Sequence, residues 1–230
     1  MLVLAGAQGA HAGLQIFGTR VIYPSGAREV SVNVLNQDTG QGAVRLMQAW
    51  IDSGKAEENA QSSRAPFLVT PPMARIDGGG GQSLRVMFNG APLPDDRESL
   101  FYLNVLEIPP KPKLTEESRS YLQFAVRTRI KLFYRPQGLS GDPVQAAENL
   151  QWRLVADGEG YALECINPSG FTASLAEVRL KSADGGDLGE NDTVNVVRPG
   201  ARRCCRCKAR PPPWRARRWN TPTSTTPEAS

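Results

Sequence analysis

Apolar and polar residues alternate in short runs along the first 135 residues, and turn-forming residues separate the runs. In chain order the runs are "LQIFGTRVIYP", "EVSVNVLNQDTG", "VRLMQAWID", "PFLVTPP", "QSLRVMFNG", "SLFYLNVLEIPP" and a longer one that follows them. A period of two bounded by Gly, Pro, Asn and Asp is typical of β-strands, so these runs predict an antiparallel sandwich. The same pattern resumes at residues 153–188, after the polar stretch "RPQGLSGDPVQAAEN", which predicts a domain boundary. No helical period of comparable length competes with it.

The longer run, "YLQFAVRTRIKLFYRP", exceeds what a sandwich strand needs. From Tyr121 to Arg135 it would extend about 50 Å, whereas such strands usually have five or six residues. Leu122, Phe124 and Val126 share one face of it. The period alone leaves two interpretations open: this row enters the chain's own core, or it lies on an edge that a partner protein covers.

Two cations are candidates for an anion site. Lys131 lies near the far end of the long run, and Arg20 lies in "GTRVIYP". Two cations side by side repel each other, and a bound carboxylate would relieve that repulsion. A Lys131 on a solvated face is the alternative that the residues leave open.

The histidine content argues against an enzyme. His11 is the only histidine, and it lies in Ala10-His11-Ala12, a pattern that a signal peptidase cleaves. We therefore expect residues 1–12 to be the remnant of a secretory signal peptide and the protein to be exported. The mature chain would then lack the histidine of a Ser-His-Asp or Cys-His site and of a histidine-ligated metal site. We expect no catalytic residue, metal or other cofactor.

The charge is unevenly distributed. The formal net charge is +4, but arginine and lysine crowd the last thirty residues. A basic tail can bind nucleic acid, yet the rest of the chain shows no phosphate-binding pattern, so no nucleic-acid partner is expected. No run of eighteen apolar residues exists, so no membrane-spanning helix is expected.

Several motifs together identify a family resemblance: "GTRVIYP", "VLNQDTGQGAVRLMQAWID", "FLVTPPMARIDGGGGQSLRV", "LPDDRESLFYLNVLEIPP" and "TRIKLFYRP". In this order they resemble the periplasmic pilus-assembly chaperones of the chaperone/usher pathway, over about residues 13–200. The resemblance implies two immunoglobulin-like β-sandwich domains in a boomerang arrangement, at 13–136 and 137–200. It implies binding of pilus subunits by donor-strand complementation and their delivery to an outer-membrane usher in the periplasm.

The resemblance also implies roles for particular residues. Arg20 and Lys131 would anchor the C-terminal carboxylate of the subunit. The row that begins at Leu122 and continues with Phe124 and Val126 would cap the subunit's hydrophobic groove, which favours the edge interpretation over the core. Two residues would belong to an interdomain charge network, Glu98 and Arg135.

The last thirty residues depart from the family. Strand-like alternation stops after Pro199-Gly200, and Cys, Arg and Pro dominate the tail at 201–230. A metal site at Cys204, Cys205 and Cys207 is disfavoured, because their spacing fits no usual ligand pair. A disordered basic arm fits the composition. A one-base frameshift is favoured over both, because permitted codons for "WNTPTSTTPEA" encode a family-like ending in the shifted frame.

The frameshift interpretation has consequences for the second domain. Without its final strands a sandwich exposes a hydrophobic seam, so the second domain is expected to be truncated and less stable than the first. Cys165 is expected to be buried. The remaining alternatives to a working chaperone are an immunoglobulin-like pilin or adhesin subunit and a non-functional frameshifted product.

Overall fold

The computed structural model describes residues 13–38, 43–55, 57–108, 124–157, 160–181, 185–191 and 196–205. The chain divides into two compact units. The first comprises Met1–Leu93 and Ser99–Gln137, and the second comprises Pro94–Glu98 and Gly138–Ser230. The expected signal-peptide remnant at 1–12 and the tail from residue 206 onward lie outside the described residues.

The first unit contains two β-sheets. One has four strands in the order β1 (Leu14–Ile16), β3 (Val30–Asn36), β7 (Gly81–Phe88) and β5 (Phe67–Thr70). The other has five strands in the order β2 (Arg20–Pro24), β9 (Val126–Arg135), β8 (Ser99–Ile108), β4 (Arg45–Asp52) and β6 (Met73–Ile76).

The alternating residues of both sheets build the core of the first unit. In β3, Val32 and Val34 are buried while Ser31 and Asn33 are exposed, as the period of two predicts. The buried members of the core are Ile16, Val21, Tyr23, Val32, Val34, Met47, Ala49, Ile51, Phe67, Ile76, Leu84, Val86, Phe101, Leu103, Val105 and Leu132.

The first predicted strand is in fact two strands in different sheets. β1 pairs antiparallel with β3, whereas β2 pairs parallel with β9. The chain crosses between the sheets at residues 17–19, where Gly18 has φ +97°, a backbone conformation that favours glycine. The expectation of a wholly antiparallel sandwich is therefore wrong at the β2–β9 pair, because after the crossing the chain joins the second sheet beside β9 and runs parallel to it.

The long run forms a shorter strand than predicted. Its described strand, β9, begins at Val126, and Phe124 and Ala125 precede it outside regular structure. The pairing with β8 ends at Glu107 opposite Val126. A strand is defined by its ladder partners. Phe124 and Ala125 have no described ladder partner, so they form no described strand.

The second unit contains a short helix, α1 (Pro143–Glu148), which the alternation did not predict. The Asp142 side chain caps it by accepting a hydrogen bond from the Val144 amide at 2.7 Å. Asp followed by Pro is a typical helix start and was the signal available in the sequence. The strands are β10 (Gln151–Asp157), β11 (Gly160–Ile166), β12 (Val178–Lys181), β13 (Asp187–Asn191) and β14 (Arg202–Cys205).

The start of the tail is structured, contrary to the expectation that strand formation ends at Gly200. β14 pairs antiparallel with β11, with Arg202 opposite Ile166. β10, β11 and β14 form one sheet, and β12 and β13 form a hairpin. Sequence reasoning missed β14 because its Arg and Cys residues do not follow an apolar–polar period. Backbone pairing with β11 requires no particular side chains. Cys165 on β11 is fully buried, as expected.

Candidate partner-binding edge

Half of β9 has described strands on only one side, and we call the other side of this half the open edge. β8 pairs with β9 along nearly its whole length, from Val126 to Tyr134. On the opposite side β2 pairs only with the stretch from Lys131 to Arg135. Within the described ranges no strand pairs with residues 126–130 on that side. Unpaired backbone N–H and C=O groups in such a row are a template for another chain.

The inward face of this edge carries Val126, Thr128 and Ile130, and its exposure increases towards Val126. Leu132 is fully buried in the core of the first unit, and Ile130 packs against that core. Four residues before Ile130 in the chain, Val126 is 52% exposed, and Phe124, two residues before Val126, is 68% exposed. The sequence left open whether this row enters the chain's own core, and Phe124 and Val126 do not. Leu122, the third member of the predicted row, lies outside the described residues.

The two candidate anchoring cations are neighbours. Arg20, the first residue of β2, lies directly opposite Lys131 in the parallel ladder. Arg20 is exposed and Lys131 is half-buried. The pKa of Lys131 is lowered, first because burial disfavours the charged amine and second because Arg20 is positive. A carboxylate bound between them would favour the charged amine and would therefore raise this pKa.

A polar cluster on the outward face of the same sheet was missed by sequence reasoning. Asp52 on β4 is fully buried and accepts hydrogen bonds from Asn104 Nδ2 at 2.7 Å and from the Gly54 amide at 2.8 Å. Its carboxylate also forms ion pairs with Arg127, at 3.0 Å, and with Arg129. Arg127 additionally donates to Asn104 Oδ1, from Nε at 2.9 Å and from Nη2 at 2.7 Å.

Aromatic rings complete this cluster. The Arg127 guanidinium lies 4.9 Å from the centroid of the Trp50 ring, and that of Arg129 lies 3.9 Å from the Tyr102 centroid. Both distances are within the range of cation–π attraction. Cations at alternate positions of "VRTRIK" were the available signal, whereas nothing in the sequence indicated that Asp52 would be buried beneath them.

The two residues expected to link the domains lie in different units. Glu98 belongs to the second unit, is buried, and accepts a hydrogen bond from the Thr172 amide at 2.8 Å. Arg135 belongs to the first unit and is half-buried at the end of β9. Their interdomain role stays a prediction.

Other classes of site receive no support from the geometry. Within the described part of the chain, His, Cys, Asp and Glu side chains form no group of three that could hold a metal ion. In the same residues, no helix has the length and apolar character needed to cross a membrane.

The comparison with known proteins identifies the family. Residues 13–140 match the family model described as "Pili and flagellar-assembly chaperone, PapD N-terminal domain". The chain belongs to this family of pilus-assembly chaperones. It is 48% identical over 178 residues to the chaperone protein FimB/FhaD of Bordetella pertussis, an alignment that covers 76% of the chain and 70% of that relative.

Solved structures of chaperones are similar to the chain as well. The crystal structure of the YadV chaperone is 36% identical, with 83% of each chain covered and a TM-score of 0.67. The SafB chaperone, solved in complex with the SafA pilin of Salmonella enterica, is 27% identical, with 84% of this chain and 83% of that chain covered and a TM-score of 0.68.

These findings confirm three expectations. The resemblance to fimbrial chaperones is correct. The all-β class is confirmed, because the regular structure of the described residues is β-strand apart from one short helix, and the structural neighbours have two immunoglobulin-like β domains. Since members of this chaperone family are not enzymes, the expectation of a non-enzymatic protein is also confirmed.

Proposed function

We propose that this chaperone captures fimbrial subunits by lending them the open edge of β9, and that it passes them to an outer-membrane usher. The observation that carries the proposal is the position beside residues 126–130 of β9, which no described strand occupies and which ends at the Arg20–Lys131 pair. Main-chain hydrogen bonds to such an edge supply affinity, and alternate side chains supply specificity. The proposed process is donor-strand complementation.

The direction of the bound strand follows from β2. Because β2 runs parallel to β9 and begins at Arg20, a subunit strand in the vacant position would be collinear with β2 if it also ran parallel. Its last residue would then lie at Arg20 and Lys131. A C-terminal carboxylate is the anion available there, and two cations would hold it with charge-assisted hydrogen bonds.

The apolar row completes the proposed complex. A subunit that lacks a strand would expose a hydrophobic groove, and Phe124 and Val126 would fill it while residues of the subunit cover them. Leu122 would extend the same row. Burial of a large apolar side chain of this kind contributes about 1.5–3 kcal/mol, so two or three anchors account for a substantial part of the affinity.

The proposed usher and the proposed location are supported by the family and by the sequence. Both follow from the resemblance to the chaperone/usher pathway, and the Ala10-His11-Ala12 pattern supports export to the periplasm. The complex of the SafB chaperone with the SafA pilin supports a pilus subunit as the partner.

Co-expression with a fimbrial subunit from the same gene cluster tests the proposal, with pull-down from a periplasmic extract as the measurement. Arg20→Ala and Lys131→Ala should each weaken capture by about tenfold or more, because hydrogen bonds to charged groups are worth about 1.5–3 kcal/mol. Phe124→Glu should abolish capture, because it places a charge in the subunit's groove.

Matched controls separate binding from folding. Lys55→Ala removes an exposed lysine, and Val144→Glu alters a residue that is 67% exposed, nearly the same as Phe124. Both controls should retain subunits at the wild-type yield, and all variants should keep the wild-type circular dichroism spectrum. Wild-type capture by Lys131→Ala would exclude the carboxylate anchor, and wild-type capture by Phe124→Glu would exclude groove filling.

A further inference from the structure

The outward face of β9 carries cations at three alternate positions, Arg127, Arg129 and Lys131. Alternate residues of a strand lie about 6.6 Å apart on the same face. The first two lie beside the part of β9 that has no described partner on the β2 side, and the third lies opposite Arg20. The cationic row therefore follows the vacant position along its length, on the face opposite to Phe124 and Val126.

The side chains of this row are held before any partner arrives. Asp52 and Asn104 bind the Arg127 guanidinium from below, and the Trp50 ring lies against it. Asp52 also pairs with Arg129, which lies over Tyr102. An arginine in a fixed rotamer loses less conformational entropy on binding than a mobile one does.

The row keeps unused binding capacity. The Arg127 and Arg129 side chains remain 38% and 34% exposed although both touch the fully buried Asp52. Arg127 donates from Nε and Nη2 within the cluster, and a guanidinium has five N–H donors in all. Two guanidinium groups share the single carboxylate of Asp52, so a positive charge remains in excess.

A strand in the vacant position would lie about 4.8 Å from β9, with its own outward side chains next to Arg127 and Arg129. Opposite charges at neighbouring cross-strand positions stabilise a sheet, and like charges destabilise it. We propose that Arg127 and Arg129 form an outward recognition row that selects subunit strands with acidic side chains at alternate positions before their C-terminus. This inference rests on the proposed function, and it makes Asp52 a positioning residue.

Synthetic peptides test the inference with the full-length protein. Three ten-residue peptides carry an N-terminal fluorescein, a free C-terminal carboxylate and Val at every inward position. Their outward positions are Asp, Ser or Lys, and fluorescence anisotropy measures their affinities. The Asp peptide should bind about tenfold more tightly than the Ser peptide, and the Lys peptide should bind more weakly than both. The differences should shrink as salt is added.

Variants assign the preference to the row. The double variant Arg127→Gln/Arg129→Gln should bind the Asp and Ser peptides equally. This double variant leaves the Asp52 carboxylate buried without a cation. A triple variant that adds Asp52→Asn therefore repeats the measurement with that charge removed. A control variant, Arg75→Gln/Arg85→Gln, removes two exposed arginines of the same unit and should keep the full preference.

Two results would overturn the inference: equal affinities of the Asp and Ser peptides for the wild-type protein, or a tenfold preference that survives in the double and triple variants. An amidated Ser peptide tests the proposed function separately. If the free carboxylate improves binding while Asp does not, the carboxylate anchor stands and the recognition row fails. If the Asp preference holds while amidation has no effect, the recognition row stands and the carboxylate anchor fails. Absence of binding by every peptide would count against both.

Discussion

At the scale of the residue, the surroundings of Lys131 disfavour its protonated form. Its pKa is lowered by burial and, to a smaller extent, by Arg20. The protonated amine is therefore less favourable in the folded protein than in the unfolded chain. This penalty is present at neutral pH, and stability rises with pH from the lowered pKa towards the ordinary value of 10.5, since the unfolded state binds more protons there.

Lys131→Met should therefore stabilise the free protein at neutral pH, even though it removes the proposed anchor. Thermal melts from neutral to alkaline pH measure the effect, and the difference between variant and wild type should narrow as the pH approaches 10.5. Lys55→Met is the matched control, since Lys55 is exposed. A melting temperature of Lys131→Met below that of the wild type at neutral pH would contradict this account.

β14 is the element whose contribution differs most from expectation. It adds a third strand to the β10–β11 sheet, with Leu163, Glu164, Cys165 and Ile166 of β11 opposite its four residues. Leu163 and Cys165 belong to the core of the second unit. The strand therefore protects the backbone edge of β11 and holds the sheet over that core.

A chain that ends after Ala201 should lose stability in the second unit compared with a chain that ends after Cys205. Loss of a short ladder at about 1 kcal/mol per hydrogen bond gives a decrease of about 2–4 kcal/mol in the free energy of unfolding of that unit. Hydrogen exchange of the β11 amides measures it, with the β3 amides as an internal reference. Equal exchange of β11 in both chains would mean that β14 does not support the sheet.

At the scale of the whole molecule, the described residues form a larger buried core in the first unit than in the second. The core of the first unit joins two sheets and includes large side chains such as Tyr23, Met47 and Leu103. The described core of the second unit is much smaller, with buried members Leu150, Leu163, Cys165, Ala173, Val178 and Val197. Since stability rises with the apolar area that folding buries, the second unit is expected to be the weaker.

Urea should therefore unfold the second unit first. Hydrogen exchange followed by mass spectrometry at increasing urea should show loss of protection in β10 and β11 before β3 and β7. The expected separation of midpoints is about 1 M or more, given a difference of a few kcal/mol and typical urea slopes. Loss of protection at the same urea concentration in both units would contradict the expectation of a weaker second unit.

Much of the fold of the first unit could be predicted from the sequence because its strands bury one face. The alternation in β3 marks the buried positions Val32 and Val34 directly, whereas β8 buries Leu103 and also its neighbour Asn104. α1 and β14 were missed for different reasons. The six residues of α1 are too few to display a helical period, and the residues of β14 carry no apolar alternation.

The candidate edge was predictable in part. Arg20 and Lys131 could be named as a pair, whereas Asp52, Asn104 and Arg129 could not be combined. Their cluster needs three strands that are distant in sequence, and its central carboxylate is buried only because β4, β8 and β9 lie side by side.

The sequence by itself determined which residues alternate, which family the motifs resemble and which side chains could bind an anion, because these properties depend on local order and chemical type. The tertiary structure decided which edge stays open and which cations lie beside it. β2 covers only the end of β9 because the chain changes sheets at Gly18. The sequence of β9 alone does not show which strand pairs with it or along how many residues. The apolar row and the cationic row follow one vacant position because successive side chains of a strand point to opposite faces.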